Sequence, residues 1–194
     1  MDLFTDHLRS FCAANRDVRE YLRSPMRHND AAILTNGAIV LRIRAIDEGT
    51  LEPLKQLPFA DFPAKIDDAA RRLAEHLAQL PALPAPIHCP FCNGSGFDKP
   101  CPVCDDVNST DCAHCDGDGV IPAARDDADA LACFFCDGTG HERQGIDIGS
   151  GYFDSRLLAL IARLDGALFA PDNATDAAYF RCDIGDGLVM PMRK

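Results

Sequence analysis

Cys89-Pro-Phe-Cys92-Asn-Gly-Ser-Gly96, Cys101-Pro-Val-Cys104, Cys112-Ala-His-Cys115-Asp-Gly-Asp-Gly119 and Cys133-Phe-Phe-Cys136-Asp-Gly-Thr-Gly140 follow one another within a single stretch of the chain. Eight of the ten cysteines lie here as four Cys-x-x-Cys pairs, and three of the pairs carry the same x-Gly-x-Gly tail. Two cysteines separated by two residues can grip one metal ion from a single tight turn. Four such pairs supply two tetrahedral zinc sites of four thiolates each, so the expected cofactor is two Zn ions. The glycines let the chain turn back beneath the metal, where backbone N–H groups can point at the sulfurs. Spacing alone permits nested pairing, outer pairs together and inner pairs together, or sequential pairing of first with second and third with fourth.

The charge around this stretch is uneven. The chain of 194 residues carries a net charge of −11. Residues 89–145 hold 11 acidic and 3 basic side chains, against 12 and 11 in residues 1–88 and 7 and 5 in residues 146–194. Eight thiolates around two Zn²⁺ add about four further negative charges to the middle segment. A phosphate backbone is bound through Lys and Arg that release its counterions, so direct nucleic-acid binding is not expected of the zinc segment. It stays open for the flanks. Apolar content of 47% predicts a real core rather than disorder. No apolar run reaches the length of a membrane span, and Met1-Asp-Leu-Phe-Thr-Asp-His7 is acidic and lacks the apolar core of a signal peptide. The expected location is the cytoplasm. In that reducing compartment clustered cysteines read as metal ligands rather than disulfides.

Outside the cysteines, periodicity predicts an α+β fold: a mostly antiparallel sheet with two or three helices, interrupted by an inserted double zinc module. Leu3/Phe4, Leu8 and Phe11/Cys12 predict an opening helix to about Ala14, followed by a short turn to Leu22. Asn36-Gly37 between Ala31–Thr35 and Ala38–Arg44 predicts a hairpin. In its second strand the all-apolar face of Ile39, Leu41 and Ile43 is the one expected to be buried, with Val40, Arg42 and Arg44 opposite. Residues 47–63, with Pro53, Pro58 and Pro63, read as irregular. Ile66, Ala69/Ala70, Leu73, Leu77 and Leu80 predict a helix over 65–80, stopped by the proline-rich 81–88 linker. After the zinc segment come a strand at 146–148, a helix over 153–164, and strands at 167–170, 178–184 and 188–192, with a turn at Gly185-Asp-Gly187. The domain organisation expected is a host domain in two parts, 1–80 and 146–194, joined by the 81–88 linker to a zinc module at 89–145.

The repeated Cys-x-x-Cys-x-Gly-x-Gly pattern resembles the cysteine-rich domain of DnaJ-type co-chaperones, over about residues 88–141. Three pairs match in full; after the second, Asp105-Asp-Val-Asn108 replaces the glycine tail. The resemblance implies nested sites, Cys89, Cys92, Cys133 and Cys136 in one and Cys101, Cys104, Cys112 and Cys115 in the other. No His-Pro-Asp tripeptide occurs, so the J-domain activity of that family is not implied. The closing Leu188-Val-Met-Pro-Met-Arg-Lys194, with the order of elements before it, resembles a unit of bacterial DNA polymerase sliding clamps. That second resemblance implies basic helix faces turned to DNA, with Arg156, Arg163, Arg71 and Arg72 as the candidates.

A zinc ion held by four cysteines has no vacant position for a water nucleophile, and no nucleophilic triad or phosphate-cradling loop stands out, so the chain is expected not to be an enzyme. The expected function is a zinc-binding protein-interaction module, adaptor or chaperone-like, whose partner is another protein. The alternatives are a clamp-like replication accessory protein and a thiol–disulfide oxidoreductase. The oxidoreductase dithiol belongs at a helix N-terminus, whereas these pairs lie in glycine-rich turns. Cys12 and Cys182 read as core thiols, and His88, His114 and His141 as loop residues beside the metal. Phe91 is expected to pack one knuckle on another, and Phe134 and Phe135 to face a partner.

Overall fold

The computed structural model describes residues 6–15, 17–44, 51, 61–104 and 111–194. In chain order its elements are α1 (Asp6–Arg9), β1 (Met26–His28), β2 (Ala31–Thr35), β3 (Ile39–Ile43), α2 (Phe62–Leu73), β4 (Phe97–Pro100), β5 (Val120–Ala123), β6 (Leu131–Ala132), β7 (Gly145–Ile148), β8 (Gly151–Asp154), α3 (Ser155–Ala162), β9 (Leu168–Ala170), β10 (Ala178–Cys182) and β11 (Gly185–Val189). They fall into two compact units. Arg19–Pro84 and Gln144–Lys194, with the N-terminal residues up to Ala13, form the first; Ala85–Arg143, with Ala14–Val18, forms the second.

The first unit is α+β. Its six-stranded sheet has the order β1-β2-β3-β11-β10-β9, antiparallel at every pairing. The strands preceding the cysteine stretch meet those following it along β3 and β11, where Leu41 faces Gly187 and Val40 faces Leu188. Two locally formed sheets thus join at one long-range seam, and lengthening the connection between them adds little to the entropy of closure.

Both faces of this sheet are covered, which differs from the one buried face expected. Ile39 and Leu41 of β3, Leu34 of β2 and Phe180 of β10 pack with Phe153 of β8 and with Leu158 and Ile161 of α3. The alternate residues Ile33, Val40, Tyr179 and Leu188 pack with Ile66, Ala69 and Leu73 of α2. Successive strand residues point to opposite faces, so α2 and α3 lie on opposite sides. On the α2 side Arg42 is held by charge. Its Nε and Nη2 donate to the two carboxylate oxygens of Asp186 at 2.8 and 2.9 Å, and its Nη1 reaches Asp67 at 2.8 Å. Arg44 Nη2 and the Tyr179 hydroxyl donate to the same Asp186, at 2.5 and 3.3 Å. This bidentate cross-strand pair lets a guanidinium and a carboxylate lie 9% and 1% exposed.

Several boundaries differ from those expected. The predicted 65–80 helix starts earlier, with Pro63 in the first turn after Asp61, a position where its missing N–H costs nothing. It stops through a 3₁₀ turn at Ala74–His76. Beyond it Ala78 exchanges backbone hydrogen bonds with Phe169 at 3.0 and 2.8 Å, so Leu77 and Leu80 reach opposite cores from an extended chain. Residues 151–154 pair with β7 as a strand, and Asp154 begins α3 by accepting the Arg156 N–H at 2.9 Å. Residues 185–187 are strand rather than turn. A Cβ on Gly187 would overlap the Val40 carbonyl oxygen and the Phe180 ring, so glycine serves close approach there. The Asn36-Gly37 connection spans residues 36–38, with the Asn36 side chain accepting the N–H of Ala38 and of Ile39 at 2.9 and 3.1 Å. β1 had no counterpart in the sequence reading. In the opening helix only Asp6–Arg9 is helical, while Leu3 and Phe4 lie outside the described residues, as do Pro53, Pro58 and the Asp105–Asn108 tail.

The second unit is built on a three-stranded antiparallel sheet of order β5-β4-β6, which the cysteine spacing did not foretell. Phe97 of β4 faces Ala123 on one side and Ala132 on the other. The acidic 125–129 loop is pinned to this sheet. Asp127 accepts from Lys99 Nζ at 2.9 Å and Arg125 lies 5.4 Å over the Phe97 ring. Asn15 reaches the edge of this sheet, where its Oδ1 accepts the Ala132 N–H at 3.0 Å.

Candidate metal centre

Each complete cysteine repeat makes the same backbone turn. The residue after the second cysteine is Asn93, Asp116 or Asp137, at φ +51°, +52° and +55°. Asn and Asp are the side-chain-bearing residues that best tolerate this left-handed conformation. The next N–H returns to the carbonyl of the first cysteine: Gly94 to Cys89 at 3.1 Å, Gly117 to Cys112 at 3.2 Å, Gly138 to Cys133 at 3.2 Å. Two residues further on, Gly96, Gly119 and Gly140 donate to the sulfurs of Cys92, Cys115 and Cys136, each at 3.3 Å. Such N–H···S bonds stabilise thiolate over thiol, as a ligand to a cation requires. Asn or Asp in all three tails was a visible signal of this turn that the sequence reading left unused.

The eight sulfurs come together as two quartets. Cys89, Cys92, Cys133 and Cys136 form the outer one and Cys101, Cys104, Cys112 and Cys115 the inner, with the ligand atoms of each quartet within 4.8 Å of one another. This is the nested arrangement. Its physical cause is reciprocal packing of the first and fourth tails. Cys89 N–H donates to Gly140 O at 2.9 Å and Cys133 N–H to Gly96 O at 2.8 Å, while the chain joins His88 to His141 as a β-bridge. A Cβ on Gly96 would stand 2.5 Å from the Gly138 carbonyl oxygen, and one on Gly140 would overlap that of Gly94. Glycine is required where the two turns touch. Among the described residues the inner quartet shows the same kind of bond, with Cys101 N–H donating to Gly119 O at 2.9 Å.

The donor sets fit zinc. A tetrahedral ion with Zn–S bonds of about 2.3 Å separates its sulfurs by about 3.8 Å. Cys92 and Cys136 are 3.8 Å apart, Cys101 and Cys112 3.9 Å, and Cys104 and Cys115 3.5 Å. A disulfide would need about 2.05 Å, and all ten cysteines are thiols. The two quartets, each placed to hold one ion, therefore fit two zinc ions. Burial pushes the Cys133 and Cys104 thiols up. The N–H groups of His114 and Cys115 push Cys112 down to about 7.

The two centres are not equivalent. All four outer cysteines are buried, whereas Cys104 and Cys112 of the inner quartet are half-buried. The outer centre also carries aromatics on its surface. Phe91 and Phe135 occupy the third position of their Cys-x-x-Cys turns and stack at a ring separation of 3.4 Å, with Phe134 edge-on to Phe135 at 5.9 Å. The same position in the inner pairs is Val103 and His114. No sulfur quartet contains a histidine; the His88 and His141 rings lie 5.7 Å apart beside the outer tails.

Apart from Arg163, which is exposed at the C-terminal end of α3, the remaining candidates are occupied elsewhere. Cys12 and Cys182 belong to the core on the α3 side of the large sheet. Arg156 is buried against Asp154 at 2.8 Å, Arg71 donates to Asp68 at 3.3 Å, and Arg72 is paired with both Asp68 and Asp172. Among the described residues no helix is long and apolar enough to cross a membrane. No model of a known protein family matches the chain, and neither the curated proteins nor the solved structures searched contain a match.

Proposed function

We propose that this chain is a non-enzymatic, cytoplasmic zinc protein whose DnaJ-type double knuckle serves as an adaptor or chaperone-like surface for another protein. The observation that carries the reading is the outer quartet: four buried sulfurs, two of them receiving N–H bonds, and two knuckles locked through their glycines. A closed set of four thiolates leaves no ligand position for substrate or water, so its metal supplies shape rather than chemistry. So small a unit gains most of its folding free energy from such a metal. The oxidoreductase alternative has less behind it, because the sulfurs converge as quartets in turns and not as lone dithiols at a helix N-terminus. The clamp-like alternative needs cationic helix faces, and three of the four arginines it would use, Arg71, Arg72 and Arg156, are engaged with carboxylates, which leaves the exposed Arg163 at the end of α3.

The test uses full-length protein purified without chelator. Two equivalents of zinc, no catalytic turnover in insulin reduction, and zinc-dependent photo-cross-linking of a protein to the knuckle surface are expected. Sustained disulfide reduction by the zinc-loaded protein, or cross-linking that is indifferent to zinc, would overturn the reading.

A further inference from the structure

The aromatic group on the outer knuckles stands in an unusual electrostatic setting. Phe134 and Phe135 are 72% and 52% exposed and Phe91 is 43% exposed, although each ring touches another. Residues 85–143 contain 11 acidic and 3 basic side chains. All three cations are already engaged: Lys99 with Asp127, Arg143 with Asp137, and Arg125 over the Phe97 ring. Two zinc ions among eight thiolates leave each centre negative, so metal loading deepens the field.

That field decides what can cover the rings. A nucleic acid could stack its bases on phenylalanine, but its phosphates would meet like charge with no available cation in this segment to release counterions. An anionic membrane and a second copy of the same acidic unit are disfavoured for the same reason. A cationic partner gains from the field, and among cations the arginine guanidinium stacks on aromatic faces and sheds its hydration more readily than lysine. Stacking against Phe135 also holds the Phe91 ring in one orientation, so little rotamer freedom remains to be lost on binding.

We propose that Phe91, Phe134 and Phe135 form a docking platform for an arginine-bearing, partly apolar segment of another protein. The proposal rests on the interaction reading above and names the chemistry of its partner. It is tested with the zinc-loaded full chain and fluorescent peptides in which leucine alternates with arginine, lysine, serine or glutamate, beside a short single-stranded DNA. The arginine peptide is expected to bind most tightly, to weaken with added salt, and to lose about tenfold or more in affinity when Phe134→Ala and Phe135→Ala are combined. Both zinc equivalents should remain, because these side chains are not core. Phe134→Leu with Phe135→Leu keeps apolar area and removes the ring faces; it should cost the arginine peptide nearly as much and leave the serine peptide unchanged.

Equal binding of the serine or glutamate peptides through the same phenylalanines would overturn the arginine preference while leaving a protein-interaction surface. Preference for the DNA, or concentration-dependent self-association abolished by the phenylalanine variants, would overturn the choice of occupant. No binding of any peptide, together with no zinc-dependent cross-linking, would overturn the interaction reading as well.

Discussion

Replacing Gly96 by alanine tests whether the reciprocal contact of the outer tails is what makes that centre. Gly96 sits at φ +81°, and a Cβ there would stand 2.5 Å from the backbone oxygen of Gly138. The left-handed backbone alone costs a side-chain-bearing residue about 1–2 kcal/mol. Backbone cannot swing aside as a side chain does, so relieving the overlap must part the two tails. Two hydrogen bonds are then at risk: Gly96 N–H to Cys92 Sγ at 3.3 Å, and Cys133 N–H to Gly96 O at 2.8 Å. At about 1 kcal/mol each, the total comes to about 3–4 kcal/mol. Because metal binding and folding of such a unit are one equilibrium, the loss appears as zinc affinity, lowered by about a hundredfold to a thousandfold. The assay is competition with a chromophoric chelator, followed by pulse alkylation and peptide mass mapping to identify which sulfurs lose protection. Cys89, Cys92, Cys133 and Cys136 should become reactive at chelator concentrations that leave Cys101, Cys104, Cys112 and Cys115 protected. An outer centre that keeps its metal to within about tenfold of wild type would refute the reasoning, because tails that bear a methyl group at this contact are not locked by it.

The other expectations are shorter. Asp186→Ala strips Arg42 of its buried partner and should destabilise the six-stranded unit by about 3 kcal/mol in urea unfolding; a loss below about 1 kcal/mol would mean the pair is not buried as described. Burial pushes the Cys12 thiol up to about 11. A raised thiol favours its protonated form in the folded state, so its contribution is complete below the unfolded value of about 8.5 and is lost as pH rises through about 11. Cys12→Ala should therefore flatten the alkaline part of the stability–pH curve, and an unchanged slope would contradict the assignment. Chelator added in steps to the wild-type protein should expose Cys104 and Cys112 to alkylation before Cys89 and Cys136, with the far-ultraviolet signal of the large sheet retained. Simultaneous loss of both centres and the sheet would argue against separate units.

What could be read from the chain, and what could not, divides along local against long-range causes. The antiparallel α+β class, the Asn36-Gly37 connection and the core of α3 rest on neighbours in sequence, and the structure has them. The grouping of the sulfurs could not be decided from spacing, because nested and sequential sets use identical turns. It follows from the contact of the 93–96 and 137–140 tails, more than forty residues apart by their numbering. The Arg42–Asp186 pair was hidden for the same reason, and Arg42 looked like a residue of the solvent face. Gly185 and Gly187 imitated a turn because glycine is used both where a chain bends and where another group presses on it. Leu77 and Leu80 imitated a helix by continuing its period, although each is half-buried from an extended segment that pairs with β9 through Ala78.

The inequality of the two centres gives the second unit a direction. All four sulfurs of the outer quartet are buried and its two tails interlock through glycines, and the exposed rings are attached to that quartet and not to the inner one. Phe91 and Phe135 can stack only because the first and fourth turns are held face to face, so the ring geometry depends on the grip that those four sulfurs share. Loosening the inner quartet, whose Cys104 and Cys112 are the more accessible, should leave that grip intact. Loosening the outer one separates the rings together with the turns that carry them. A partner docked on the stacked pair, as proposed above, would thereby read the metal-loaded state of the outer centre, whatever the occupancy of the inner.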